Sequence, residues 1–130
     1  MIGIVVVSHS ATAAEGICEL AAQMSGDVSL VPAGGDGDEG DSPIGTSVDR
    51  IQQGLEAADE GDGVVVLVDL GSAVMNTELA IEMTDANATI ADAPILEGAL
   101  NAAVEATSGD ATIESVIEKA EDAREYRKLN

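Results

Sequence analysis

The chain has 130 residues, 45% of them hydrophobic, and sets 25 Asp and Glu against 5 Lys and Arg, a formal net charge of −20 at pH 7. Such a length suits one domain, residues 1–130, around one core, and such a charge repels phosphate backbones and anionic bilayers, which disfavours nucleic-acid and membrane roles. With no Phe, no Trp, one Tyr and one Cys, the packing must be aliphatic and no internal disulfide can form, in agreement with a cytoplasmic location.

The first element is the run Ile2–Val7, rich in β-branched residues. It has the pattern of a strand buried on both faces. It falls far short of the ~20 residues needed to cross a bilayer. No Lys or Arg precedes it, so it makes a poor signal peptide. At its end, in VVVSHS (Val5–Ser10), stands the only histidine, His9. From Thr12 to Ser25, apolar residues recur at helical spacing (Ala13, Ile17, Leu20, Ala21, Met24), and Cys18 falls on the same side, as core. Val28–Val31 reads as a short second strand. Pro32 to about Ser47 reads as a loop, Gly/Asp-rich at positions 33–42. Loops of this length are usually functional or mobile. The Gly/Asp part reads as a surface insertion without chemistry of its own, and Asp36–Asp41 lack the spacing of a calcium loop.

Ser47–Asp59 is expected to be a second helix, with Thr46 or Ser47 as N-cap. Gly63–Asp69 (GVVVLVD) is a third buried strand, Ser72–Asp85 a third helix and Ala88–Ala91 a fourth strand. Met24, Met75 and Met83 sit at helical core spacing and read as filler. Pro94–Thr107 and Asp110 to about Lys128 close the chain as two helices, with Asp110 as N-cap and basic residues in the last turns. This order specifies an α/β fold: a doubly wound parallel sheet, expected strand order 2-1-3-4, with helices on both faces. Ligands in such sheets bind at the carboxyl ends of the strands where the order reverses, here between strands one and three.

His9 lies just past strand one and Asp69 ends strand three, so the two should meet at that point. A neutral imidazole attacks through one nitrogen while the other carries the proton. A carboxylate accepting from that N–H fixes the tautomer and stabilises the cation formed. The helix that starts after His9 offers free amides to an anion. Ser8, Ser10 and Thr12 add hydroxyls, and Gly71 and Ser72 offer further donors from the turn after Asp69. The assembly suits transient phosphorylation of His9, with Asp69 as orienter and Ser10, Gly71 and Ser72 at the phosphate. A lone loop histidine is often only a polar loop residue, and an Asp at a strand end is often a turn former. Their joint placement favours function. One Cys and one His cannot supply a structural zinc site, and neither glycine-rich nucleotide fingerprint occurs. Arg50 is the only base before Lys119, which disfavours an arginine-clamped phosphate. No metal and no cofactor is expected.

Two accounts of the acidity compete. An acidic face could dock a basic partner. Alternatively, the whole surface is adapted to molar salt, where the Debye length falls to ~3 Å. The acids occur in every segment, which favours the halophilic account.

VVVSHS at Val5–Ser10, PIGTS at Pro43–Ser47, VLVDLGSA at Val66–Ala73 and APILEGAL at Ala93–Leu100 follow one another in this order. Together they resemble the mannose-type IIA family of the phosphoenolpyruvate-dependent phosphotransferase system. Within it they are more similar to the branch serving dihydroxyacetone kinase than to the sugar-permease IIA domains. The resemblance implies that His9 is the phosphorylated histidine and Asp69 its carboxylate partner. It implies that HPr is the phosphoryl donor and that ADP on the kinase's nucleotide-binding subunit is the acceptor. The chain would then be a subunit of a phosphoenolpyruvate–glycerone phosphotransferase, needing no metal or nucleotide of its own. It implies a homodimer, which some relatives complete with an exchanged strand. Two rivals stay open. One is a receiver domain phosphorylated on Asp69, although strand one ends in Ser8–His9–Ser10 rather than in acids, and no lysine precedes Lys119. The other is a non-catalytic regulatory module in which His9 is incidental.

Overall fold

The computed structural model describes residues 1–36 and 44–129. Its order is β1 (Gly3–Ser8), α1 (Ala11–Ala22), β2 (Leu30–Gly34), α2 (Val48–Ala58), β3 (Val64–Val68), α3 (Gly71–Glu82), β4 (Ala88–Ile90), α4 (Ile95–Ala106) and α5 (Ile113–Asp122), then a 3₁₀ turn, Ala123–Glu125. The four strands form one all-parallel sheet in the order β2-β1-β3-β4. This is the expected doubly wound arrangement.

β1 and β3 lie at the centre of the sheet, so both of their faces are covered, and alternate side chains enter different cores. Ile4, Val6, Val65 and Leu67 pack with Ala14 and Cys18 of α1, Ala99, Ala102 and Ala103 of α4 and Val116 of α5. Val5, Val7, Val64 and Val66 pack with Ile51 and Leu55 of α2 and Ala73 and Ala80 of α3. Fully burying one such Val, Ile or Leu side chain contributes about 1.5–3 kcal/mol. Burial also pushes the Cys18 thiol up to about 11. Alanine dominates the helix faces, and small side chains let helices lie close to a sheet that has no aromatic residue to fill gaps.

Several expectations need correction. β2 is Leu30–Gly34, not Val28–Val31, and it contains Pro32. Proline is tolerated there because β2 is an edge strand, where the missing N–H breaks no ladder. Met24, Met75 and Met83 are not core: each is more than half exposed. Their spacing matched a helix face, but not the face that meets the sheet. Asp110 does not cap α5. Thr112 does, in a reciprocal box with Ser115. α5 stops at Asp122 rather than near Lys128, and only Lys119 lies in its last turn. Of the Gly/Asp-rich stretch and the PIGTS segment, residues 37–43 lie outside the described residues.

The acidic surface leads to an expectation for the fold as a whole. We propose that the chain is salt-adapted, since 25 carboxylates against 5 Lys and Arg repel one another and salt screens that repulsion. The thermal midpoint is expected to rise steadily from dilute buffer to molar KCl. A midpoint independent of KCl would refute salt adaptation.

Candidate functional site

The register of the two central strands builds the site. Val7 pairs with Val68, so the chain leaves β1 at Ser8–His9 directly beside the point where it leaves β3 at Asp69. Both Asp69 oxygens are then occupied. Oδ1 accepts from His9 Nδ1 at 2.9 Å and from the Leu70 amide at 2.7 Å. Oδ2 accepts from the Ser8 hydroxyl and from the His9 amide, each at 2.9 Å. The His9 and Asp69 side chains are about one-fifth exposed.

Burial alone would raise the Asp69 carboxyl, but the His9 amide, the His9 ring and the Ser8 hydroxyl together outweigh it and hold the group below its ordinary value. Asp69 is therefore ionised at neutral pH and can only accept. Nδ1 must then carry a proton, and in the neutral ring Nε2 holds the lone pair. Nε2 faces the Ser72 hydroxyl, which donates to it.

Ser72 is the second residue of α3, and Gly71 the first. The N-cap of this helix is Leu70, which offers no side-chain cap. The Gly71 and Ser72 amides thus have no carbonyl one turn back and no capping side chain. The first bonded amide of the helix is that of Ala73, which donates to the Leu70 carbonyl at 3.0 Å. This is the arrangement that receives an anion. A cleft of about 540 Å³ borders them, lined by Asp69, Gly71, Val74 and Ala93 among others. A larger groove, about 1010 Å³, lies along α5 and reaches neither His9 nor Asp69.

The Ser10 hydroxyl accepts from the Ala13 amide at 3.2 Å as the N-cap of α1, which leaves its proton free to donate, and Thr12 is exposed. The open helix end at Nε2 belongs to α3, not to α1. Sequence reasoning grouped Ser8 with the anion donors. In the structure Ser8 is buried and its hydroxyl is committed to Asp69. Its place as the last residue of an otherwise wholly apolar strand was the available signal, because a buried hydroxyl there needs a partner. The Gly45 amide, donating to the His9 carbonyl at 2.8 Å, was also missed.

Among the described residues no group of three or more His, Cys, Asp or Glu could hold a metal ion, and no helix is long and apolar enough to cross a membrane.

Comparison with known proteins shows the family. The family model described as the PTS system fructose IIA component (EIIA-man) matches residues 3–117. A PTS-dependent dihydroxyacetone kinase phosphotransferase subunit DhaM of Lactococcus lactis subsp. lactis is 41% identical over 92% of this chain and 93% of its own length. A PEP-dependent dihydroxyacetone kinase phosphoryl donor subunit DhaM of Klebsiella michiganensis is 38% identical over 99% of this chain. The chain spans only 28% of the length of that relative. A solved phosphotransferase-system EIIA component of Streptococcus agalactiae shares the fold with a TM-score of 0.67, at 20% identity over 95% of this chain and 92% of that one. The chain belongs to the EIIA-man family of the phosphotransferase system, and within it is similar to the DhaM phosphotransfer subunits.

Proposed function

We propose that the chain is a cytoplasmic phosphohistidine carrier. His9 accepts a phosphoryl group from the phosphohistidine of HPr and passes it to ADP bound on the nucleotide-binding subunit of dihydroxyacetone kinase. The observation that carries this reading is the single available ring nitrogen. Asp69 holds the Nδ1 proton, so the Nε2 lone pair is aimed at the uncapped start of α3. In the first step Nε2 attacks phosphorus, the donor's N–P bond breaks, and its electron pair stays on the donor imidazole. As His9 gains positive character, Asp69 stabilises it. Ser72 Oγ and the amides of Gly71 and Ser72 take the phosphoryl oxygens. In the second step a β-phosphate oxygen of ADP attacks the same phosphorus and His9 leaves neutral. Ser10 caps the helix that follows His9, and its hydroxyl proton is a further donor to the phosphoryl group.

A receiver-like role is less well supported, because each Asp69 oxygen already accepts two hydrogen bonds and neither is free to attack phosphorus. The test is intact mass after incubation with phosphoenolpyruvate, enzyme I and HPr in molar KCl. A gain of one phosphoryl group that is lost in acid is expected. No gain, with HPr itself phosphorylated, would overturn the carrier reading.

We propose further that the working unit is a homodimer. Leu70, Met75, Leu79 and Met83 are each at least half exposed, and from Met75 onward they recur every four residues along one side of α3. A second copy would cover this apolar stripe. Light scattering is expected to give twice the chain mass, and Leu79→Glu should halve it. A monomer at all concentrations would refute the dimer.

A further inference from the structure

Arg50 is the one base between Met1 and Glu118, and it is half-buried near the start of α2. Amid so many acids it forms no ion pair among the described residues. Its guanidinium instead donates from Nη1 to the Gly34 carbonyl at 2.9 Å. Its backbone amide donates to the Ser47 hydroxyl at 3.3 Å. One residue therefore ties the end of β2 to the start of α2.

Both tied ends touch the His9 turn. At the β2 end, the Gly35 amide donates to the Ser8 carbonyl at 3.3 Å. Gly34 lies so close to that turn that a Cβ on it would sit 2.7 Å from the Ser10 carbonyl oxygen and 2.9 Å from Ala11 Cα. The point where a Gly35 Cβ would stand is 3.4 Å from both the Ala11 methyl and Arg50 Nη1. At the α2 end, the Gly45 amide donates to the His9 carbonyl. Asn76 of α3, one turn beyond Ser72, donates to Thr46 Oγ1 at 2.6 Å. The carbonyls of Ser8 and His9 are thus held from two sides, and Arg50 joins the two.

We infer that Arg50 is a positioning residue for phosphoryl transfer: its guanidinium clamps Gly34–Gly35 against the Ser8–Ala11 turn and so sets the angle at which His9 Nε2 faces Ser72. This rests on the reading of His9 as the phosphoryl acceptor. The hydrogen-bond partners of the His9 ring are Asp69 and Ser72, not Arg50. It acts by fixing the backbone on which the ring is mounted, and small misplacements of a reacting atom cost large factors in rate.

The test compares Arg50→Met, which keeps the aliphatic stem and removes the donors, with Arg50→Lys, which keeps one donor. Phosphoryl uptake from HPr and the ring ¹⁵N spectrum of His9 are measured well below each variant's midpoint. Arg50→Met is expected to lower kcat roughly tenfold to a hundredfold, with KM for HPr unchanged. It should also move the His9 ring nitrogens away from a single Nδ1–H form. Arg50→Lys should restore most of both. An unchanged kcat and ring spectrum would overturn the inference, as would a loss confined to KM that molar KCl erases, since that marks Arg50 as a partner contact. The spectrum is taken on unphosphorylated protein. If even the wild type takes up no phosphoryl group, the carrier reading falls while the ring signature still decides whether Arg50 positions His9.

Discussion

His9→Ala is expected to abolish phosphoryl uptake from HPr while leaving the fold intact. No other histidine exists to take over, and no other side chain at this point offers an uncharged nitrogen with a free lone pair. The variant should fold because removing the ring strips Asp69 of only one of its four donors. The Ser8 hydroxyl and the amides at positions 9 and 70 remain. Circular dichroism and the thermal midpoint check the fold, and intact mass checks the uptake. A phosphorylated His9→Ala protein would show that another residue is the acceptor. If that phosphate proved labile to hydroxylamine, the acceptor would be a carboxylate, which Asp69→Asn would then test.

Asp69→Asn is expected to retain the pair of side chains yet slow transfer by roughly 10²-fold or more; the same change to an orienting carboxylate in a serine-protease triad costs about 10⁴-fold. An amide does not compel Nδ1 to carry the proton, and it gives the imidazolium-like transition state no opposing charge. The substitution also has a pH signature. The folded-state pKa of Asp69 lies below its ordinary value, so its stabilising contribution is complete above the unfolded-state value and is lost as pH falls through the folded one. Wild type should therefore lose stability at the acid end of the Asp range, and Asp69→Asn should lose less of it there. A wild-type transfer rate in Asp69→Asn would remove the carboxylate from the mechanism.

Other acids contribute to pH dependence less directly. Lys128 beside Glu97 lowers that carboxyl, but the pair lies at the exposed surface, where such pairs contribute little. High salt would weaken it further. The acid response expected of Asp69 differs in kind, because its donors include two backbone amides that salt does not displace.

The alternation of apolar runs with amphipathic stretches was enough to determine the parallel α/β sheet and its helices. Buried parallel strands must be apolar on both faces, and that pattern stands in VVVLV and GIVVVS without reference to anything distant. The pairing of His9 with Asp69 was legible for the same reason: each stands at the polar end of an apolar run, and the topology sets those ends side by side. Segment boundaries were less legible where a residue type has two meanings. Pro32 is read as a breaker but sits in an edge strand, and the methionines of α3 are read as core but face outward.

Tertiary structure alone decided the rest. Which hydroxyl serves which partner depends on register. Because Val7 pairs with Val68, Ser8 falls against Asp69, Ser10 is left to cap its own helix, and Ser72 comes to face Nε2. The same holds for the helix end beside the imidazole. Two helices start near His9, but only α3 begins without a side-chain cap, and the ring turns toward it because Asp69 holds the opposite nitrogen. Arg50 is the clearest case. The sequence marks it as the only Lys or Arg before Lys119 in an acidic chain. Its part in holding the His9 turn is a matter of two carbonyls and two amides brought together across the chain, and backbone groups, being the same in every residue, leave no trace in a sequence.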